Sequence, residues 1–306
     1  MRALIVDPTA PGRLRLGEAP DPVPGPAQVL VEVRHTSLNA AELFFAERAE
    51  PGEVIGFDAA GVVVTAAADG GGPAVGSRVV GFADGGGFGA LRAMDVADVA
   101  VVPDAVDLGE AATLPVAAGT ALRALEQAGP LVGRRVLVTG ASGGVGGFAV
   151  QLAALGGAYV IAVAGSEESA RGLTDLGADE VAIGLAGPTE PVDVVIDTVG
   201  GDQLIASYTL LAPGGTLQSV GWASGREATL PVGSTLGSPV PKAIVSVYNG
   251  GGLTDRQAQL SRLLTLVAAG RLRVPVGWRG PWDKIADAVE ALGSRRLRGK
   301  AVLDVG

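Results

Sequence analysis

A chain of 306 residues, 48% hydrophobic and 18% charged, has enough apolar surface to bury a large core, and its length accommodates about two domains. It has no cysteine, which excludes disulfides, thiolate catalysis and cysteine-ligated zinc, and its one histidine, His35, leaves little for a histidine-based metal site. A net charge of −9 argues against a nucleic-acid partner, and no apolar window approaches the roughly 20 residues that cross a bilayer.

The first apolar run, ALIV and its neighbours, is shorter than the core of about 7 to 15 residues of a secretory signal, so a cytoplasmic protein is expected. Up to about residue 105, short runs with alternating polarity (RALIV, QVLVEVRHTSL, GVVVTAA, SRVVGFA, VADVAVV) are broken by Gly and Pro, the pattern of a β-rich unit. GEAATLPVAAGTALRALEQAG then reads as helix. RRVLVTG, AYVIAVAG, EVAIGL, PVDVVIDTVGG and TLQSVGW read as strands, alternating with the helices FAVQLAALGG and SEESARGLTDLG. That alternation predicts a parallel sheet covered on both faces. A helix over Gln257 to Gly270, a second over WDKIADAVEALGS and a closing strand GKAVLDVG return to a mixed pattern. The basic run Arg295, Arg296, Arg298 and Lys300 is expected to be solvated surface ahead of that last strand.

Between the strand RRVLVTG and the helix GFAVQLAAL stands the turn Ala141-Ser142-Gly143-Gly144-Val145-Gly146. Taken alone it is a tight turn; inside a βαβαβ pattern it is where a dinucleotide-binding fold seats a pyrophosphate, with glycines permitting close approach and helix N–H groups facing the charge. The next strand ends in Gly165 and Ser166 without a carboxylate to take a ribose 2′-hydroxyl, and Arg171 follows, a pair suited to a 2′-phosphate and so to NADPH. Glu167 and Glu168 pull the other way unless they serve as first-turn helix residues.

The segments VEVRHTSLNAAE, GFDAAGVV, VGSRVVGF, AATLPVAAGTALRAL, VLVTGASGGVGGFAVQLA, DVVIDTVGG, LLAPGGTLQSVG and GKAVLDV occur in this order over essentially the whole chain. With them the chain resembles the medium-chain dehydrogenases/reductases, and among these the zinc-free quinone oxidoreductase-like (zeta-crystallin-like) enzymes. The resemblance implies an α/β fold: a GroES-like β-rich catalytic domain formed by residues 1–113 and 245–306, around a Rossmann domain with a doubly wound parallel sheet at 114–244, the nicotinamide lying in the cleft between them. It implies hydride transfer from NADPH to a quinone or an α,β-unsaturated carbonyl. Zinc-using relatives carry cysteine at the position of Asn39 and histidine at that of Phe57, so no metal site is expected here.

From the resemblance and the motifs together, Ser142, Gly143, Gly144, Val145 and Gly146 are expected at the pyrophosphate, and Gly165, Ser166 and Arg171 at the adenosine 2′-phosphate. Asn39, Thr120, Val220, Gly221 and Asn249 are expected at the nicotinamide half. Many such reductases have a tyrosine where this chain has Phe44, which cannot donate a proton; Phe44 and Phe45 become a candidate apolar wall for the substrate. Asn39 and Tyr248 are the catalytic candidates, Tyr248 as proton donor or substrate contact, or else simply a packed tyrosine. His35 reads as a structural imidazole or a proton relay. Glu42 and Asp58 form a possible carboxylate pair, kept in relatives mainly for structure. A homodimer is expected through a sheet edge around Thr235 to Val247, because prolines beside a β-branched run belong at edges. Two further readings stay open: an enoyl reductase of a secondary-metabolite pathway such as polyketide tailoring, and a non-catalytic NADPH-binding sensor or structural protein.

Overall fold

The computed structural model describes residues 1–185, 190–236 and 240–306. In chain order, the first stretch forms β1 (Arg2–Val6), β2 (Leu14–Glu18), β3 (Gln28–Leu38), α1 (Ala40–Ala46), β4 (Asp58–Thr65), β5 (Arg78–Phe82), β6 (Leu91–Asp95), β7 (Val99–Val101) and α2 (Leu108–Ala111). The middle forms α3 (Gly119–Ala128), β8 (Arg135–Thr139), α4 (Gly144–Leu155), β9 (Tyr159–Ala164), α5 (Glu167–Ala170), β10 (Glu180–Ile183), β11 (Val192–Asp197), α6 (Gly201–Thr209), β12 (Leu211–Ser219) and β13 (Ala243–Ser246). The last stretch adds α7 (Arg256–Ala268), β14 (Val276–Pro281), α8 (Ile285–Gly293) and β15 (Lys300–Asp304). Two compact units result, one of Met1–Gly119 with Asn249–Gly306, the other Thr120–Tyr248.

In the first unit, β14, β15, β3, β4, β5 and β7 lie side by side, β6 pairs with the front half of β3, and β1 and β2 form a separate ribbon. β3 alternates as its sequence predicts: Val29, Val31 and Val33 are buried with Leu4, Met94 and Trp282, while the residues between them are less so. β15 closes the sheet from the far end of the chain, with Ala301 opposite Leu38 and Asp304 opposite His35.

The second unit is one parallel sheet, ordered β10, β9, β8, β11, β12, β13. From β8 the strands run outward to one side as β9 and β10 and to the other as β11, β12 and β13, the order of dinucleotide-binding sheets, whose ligands sit at the strands' carboxyl ends where the order reverses. Val136, Leu137 and Val138 are fully buried, as strands covered on both faces must be. The chain is thus of the expected class: a doubly wound parallel sheet and a separate β-rich unit.

Two expected helices are shorter than their text. The run after Asp107 divides into α2, a π-turn over Leu114–Ala118 and α3, with Pro115, which has no N–H to donate, in the first turn of the middle piece. SEESARGLTDLG forms only α5 and a short turn over Thr174–Leu176, because the backbone turns extended at Arg171, with ψ +133°, and left-handed at Gly172, with φ +78°. Lys300 departs from the reading of its basic run as surface: Arg295, Arg296 and Arg298 are exposed, but Lys300 opens β15 at 3% exposure.

Candidate active site

In the parallel unit, β8 ends at Thr139 and the chain turns through Gly140, at φ +60°, into α4. Gly143 N–H donates to Gly140 O at 2.9 Å, and a Cβ on Gly146 would stand 2.2 Å from that same oxygen, so the turn itself demands glycine at 146. No side chain caps α4, and its first N–H groups have no partner within the helix by geometry. Ser142, Gly143, Gly144 and Val145 are half-buried around this uncapped, partially positive end, whose donors fit a phosphate-bearing anion. The turn is tied to the neighbouring strand from behind. Thr139 Oγ1 donates to Asp197 Oδ1 at 2.6 Å and accepts from Thr198 N–H at 3.1 Å, while Gly200 N–H donates to Asp197 Oδ2 at 2.9 Å. Burial, offset by these donors, holds the Asp197 carboxyl above its ordinary value.

Apart from Thr120, the other cofactor candidates of this unit also follow carboxyl ends of strands. Gly165 and Ser166 come after β9, in open, exposed backbone, and Ser166 caps α5 by accepting from Ser169 N–H at 3.2 Å, with Glu167 and Glu168 in that helix's first turn. Arg171 is the residue after α5 and is exposed. Val220 and Gly221 follow β12, their N–H groups donating to Asp197 O at 2.8 and 3.2 Å. Thr120, in the first turn of α3, is 9% exposed, and Tyr248, just beyond β13, is 62% exposed.

In the β-rich unit Asn39, Glu42 and Asp58 gather at one buried polar cluster. Asn39 sits between β3 and α1 as the helix N-cap, and Glu42 in that first turn accepts from Asn39 N–H at 2.8 Å. The Asn39 amide donates one hydrogen to Glu42 Oε1 at 3.1 Å and the other to Asp58 Oδ2 at 2.9 Å. Its Oδ1 accepts from Lys300 Nζ, which also donates to Leu38 O at 3.3 Å. Asp58 accepts further from Ser37 Oγ at 2.5 Å and from Val116 N–H at 2.9 Å. Burial first and the Asp58 charge second push the Glu42 carboxyl up to about 7, with Lys300 opposing. Burial likewise pulls Lys300 down against the attraction of both carboxylates, and pulls Arg92, which donates to Phe57 O and Ala83 O at 2.8 and 2.7 Å, down to about 10.

Beside this cluster runs an aromatic series. Phe44 and Phe45 are half-exposed and meet edge to face at 5.6 Å; Phe45 meets Phe57 edge to face at 5.5 Å, and Phe57 stacks on Phe82 at 5.6 Å. Phe82 is covered by the buried guanidinium of Arg256 at 3.9 Å. Arg256 pairs with Asp98 at 3.0 Å and donates to Asn249 Oδ1 at 3.2 Å and Gly250 O at 2.5 Å, while the Asn249 amide donates to Pro115 O and Val116 O at 3.1 and 3.3 Å. His35 stands away from the cluster with Nδ1 2.9 Å from Asp304 Oδ1, and burial holds its pKa below the ordinary value. Sequence reasoning missed Lys300, Arg256 and the Thr139–Asp197 pair. A lysine opening the apolar strand KAVLD, one of three lysines in the chain, was the available signal for the first.

Residues 175–303 match a family model described as zinc-binding dehydrogenase. The chain is 30% identical to quinone oxidoreductase-like protein 2 of Bos taurus, covering 92% of this chain and 86% of that protein. The chain belongs to the medium-chain dehydrogenase/reductase family. It is an oxidoreductase of that family, and its likeness to other members extends in two directions. It is 33% identical to polyketide synthase GfsB of Streptomyces halstedii over 91% of this chain, which is 5% of that much longer protein. It also overlays the structure of mycobacterial Rv1454c complexed with NADPH with a TM-score of 0.89, at 27% identity, over 99% of this chain and 100% of that one. Although the matching family model is named for zinc, this member has no cysteine, and among its described residues no group of three or more His, Asp and Glu is placed to hold a metal ion. Among the described residues no helix is long and apolar enough to cross a membrane.

Proposed function

We propose that this chain is a zinc-independent reductase that passes hydride from NADPH to a quinone or an α,β-unsaturated carbonyl. The observation that carries the reading is the uncapped N-terminus of α4 behind a glycine-rich approach, at the reversal of a parallel sheet, in a chain similar to a protein solved with NADPH. NADPH when bound supplies the hydride; the protein's own part is to position the two reactants and exclude water. In this reading Ser142, Gly143, Gly144, Val145 and Gly146 hold the pyrophosphate, and Gly165, Ser166 and Arg171 hold the 2′-phosphate. Asn39, Thr120, Val220, Gly221 and Asn249 hold the nicotinamide half. Phe44 and Phe45, half-exposed, with Phe45 backed by Phe57 and the Arg48 guanidinium over the Phe44 ring, offer the acceptor an aromatic wall. Phe44 brings no proton, so the product's proton comes from water or from Tyr248, which is exposed.

Enoyl reduction in a secondary-metabolite pathway is the second reading, favoured by the likeness to polyketide synthases over nine-tenths of the chain. Following NADPH absorbance with ortho-quinones, para-quinones, linear enones and enoyl thioesters separates the two. Quinone turnover supports the first, turnover of thioesters alone supports the second, and oxidation of NADPH by no acceptor overturns both in favour of a binding protein.

A further inference from the structure

The side chain of Asn39 offers two N–H donors and two acceptor lone pairs, and the cluster around it has assigned nearly all of them. Both amide hydrogens go inward, to Glu42 and Asp58, and one lone pair of Oδ1 goes to Lys300. A single acceptor lone pair is left. Of Thr36, Ser37, Glu42, Asp58, Lys300 and Asn39, the asparagine has the largest exposure, at 9%. The side-chain group of Asn39 with bonding capacity left is therefore its carbonyl oxygen, able to accept from a hydroxyl and unable to donate to a carbonyl.

We infer that Lys300 is the positioning residue that holds the Asn39 amide in this one orientation, so that its carbonyl receives a ribose hydroxyl of the nicotinamide half. The inference rests on the proposed reading of Asn39 as a contact of that ribose and adds the residue that makes the contact possible. Two charges buried without a counter-charge are costly, and Lys300 is the ammonium that compensates Glu42 and Asp58, with Arg92 contributing more remotely. While Glu42 stays ionised it can only accept, so the amide nitrogen must face it. Without Lys300, burial and the Asp58 charge drive a proton onto Glu42, whose new O–H competes for the Asn39 oxygen from inside and spoils its outward presentation. Lys300 thus acts on the ligand only through Asn39.

The test compares binding of NADPH with that of 2′,5′-ADP, which keeps the adenosine half and lacks the nicotinamide ribose. Lys300→Met is expected to weaken NADPH about tenfold, the loss of roughly one good hydrogen bond, and to leave 2′,5′-ADP within about twofold of wild type. Lys300→Arg, which retains a charged donor, is expected to restore most of the NADPH affinity. Because Lys300→Met leaves two buried carboxylates unbalanced and can fail to fold, Lys300→Met with Glu42→Gln removes one charge of each sign. That double variant is expected to fold and still bind NADPH about tenfold more weakly, since the amide introduced by Glu42→Gln donates to Asn39 just as a protonated Glu42 would. A double variant that binds NADPH like wild type overturns the inference, because Lys300 then only neutralises Glu42. Equal losses for NADPH and 2′,5′-ADP in a folded variant overturn it too. Failure of the underlying reading is told apart by Asn39→Ala: if Asn39 does not contact that ribose, this variant binds NADPH as tightly as wild type, whereas a failure of the Lys300 inference alone leaves Asn39→Ala weakened for NADPH and unchanged for 2′,5′-ADP.

Discussion

The hydroxyl of Thr139, at the end of β8, donates to the carboxylate of Asp197, at the end of β11, at 2.6 Å, across the point where the parallel sheet reverses its order. Both residues are fully buried, so the bond has no water to replace it. Thr139→Val keeps the shape and leaves one Asp197 oxygen without its strongest donor. A loss of about 1 to 3 kcal/mol in unfolding free energy by urea titration is expected. An unchanged midpoint with an unchanged slope would show that the pair contributes nothing to the loop's foundation.

The glycines of the turn are not equivalent. Gly146→Ala places a Cβ 2.2 Å from Gly140 O and is expected to abolish NADPH binding or the fold. At Gly143, with φ −79° and a built Cβ 3.2 Å from Gly140 O, alanine needs that oxygen to give by only a few tenths of an ångström and is expected to fold with a much smaller loss of melting temperature than Gly146→Ala. Circular dichroism melts of the two variants side by side check the contrast; equal losses would contradict it.

NADPH is expected to bind at least about tenfold more tightly than NADH, and Arg171→Ala to remove most of that preference, since a charge-assisted bond to phosphate contributes about 1.5 to 3 kcal/mol. Calorimetric titration of both nucleotides decides it. Equal affinities in the unaltered protein would remove Ser166 and Arg171 from the 2′-phosphate site.

Burial first and the Asp58 charge second push the Glu42 carboxyl up from 4.5 to about 7. A carboxyl raised in the folded state favours folding when protonated, so its contribution is fully present below about pH 4.5 and is lost as pH rises through about 7. The Glu42→Gln side chain cannot ionise. The variant's unfolding free energy is therefore expected to gain on wild type as pH rises from about 5 to about 8, as measured by urea titration at each pH. A constant difference across that range would show that Glu42 does not titrate there.

β13 is an edge of the parallel sheet, and Leu236, Val240, Ile244 and Tyr248 are exposed along its approach and strand. Residues 237–239 of the stretch expected at an interface lie outside the described residues. A twofold dimer that covers this edge is the proposed assembly. Light scattering at micromolar concentration should give a mass near twice 30.4 kDa, falling toward 30.4 kDa for Ile244→Lys.

The parallel sheet and its turn were legible in the sequence because each signal is local. A strand buried on both faces is written as a continuous apolar run, and the helix start is written in the glycines that its close packing demands. The lengths of α3 and α5 were less legible, since a single Pro115 or Gly172 stops a helix within an otherwise favourable composition. The polar cluster was legible only in part: the sequence offered Asn39 and the pair Glu42 and Asp58, but not the ammonium that balances them. Lys300 lies in a basic run that reads as surface, 261 residues from the asparagine it contacts. Only the pairing of β15 with β3, which sets Ala301 opposite Leu38, brings the ammonium to Asn39. Whether a lysine can be buried depends on the carboxylates that share its site. Here those are Glu42 on α1 and Asp58 on β4, and the tertiary fold alone brings Lys300 to them.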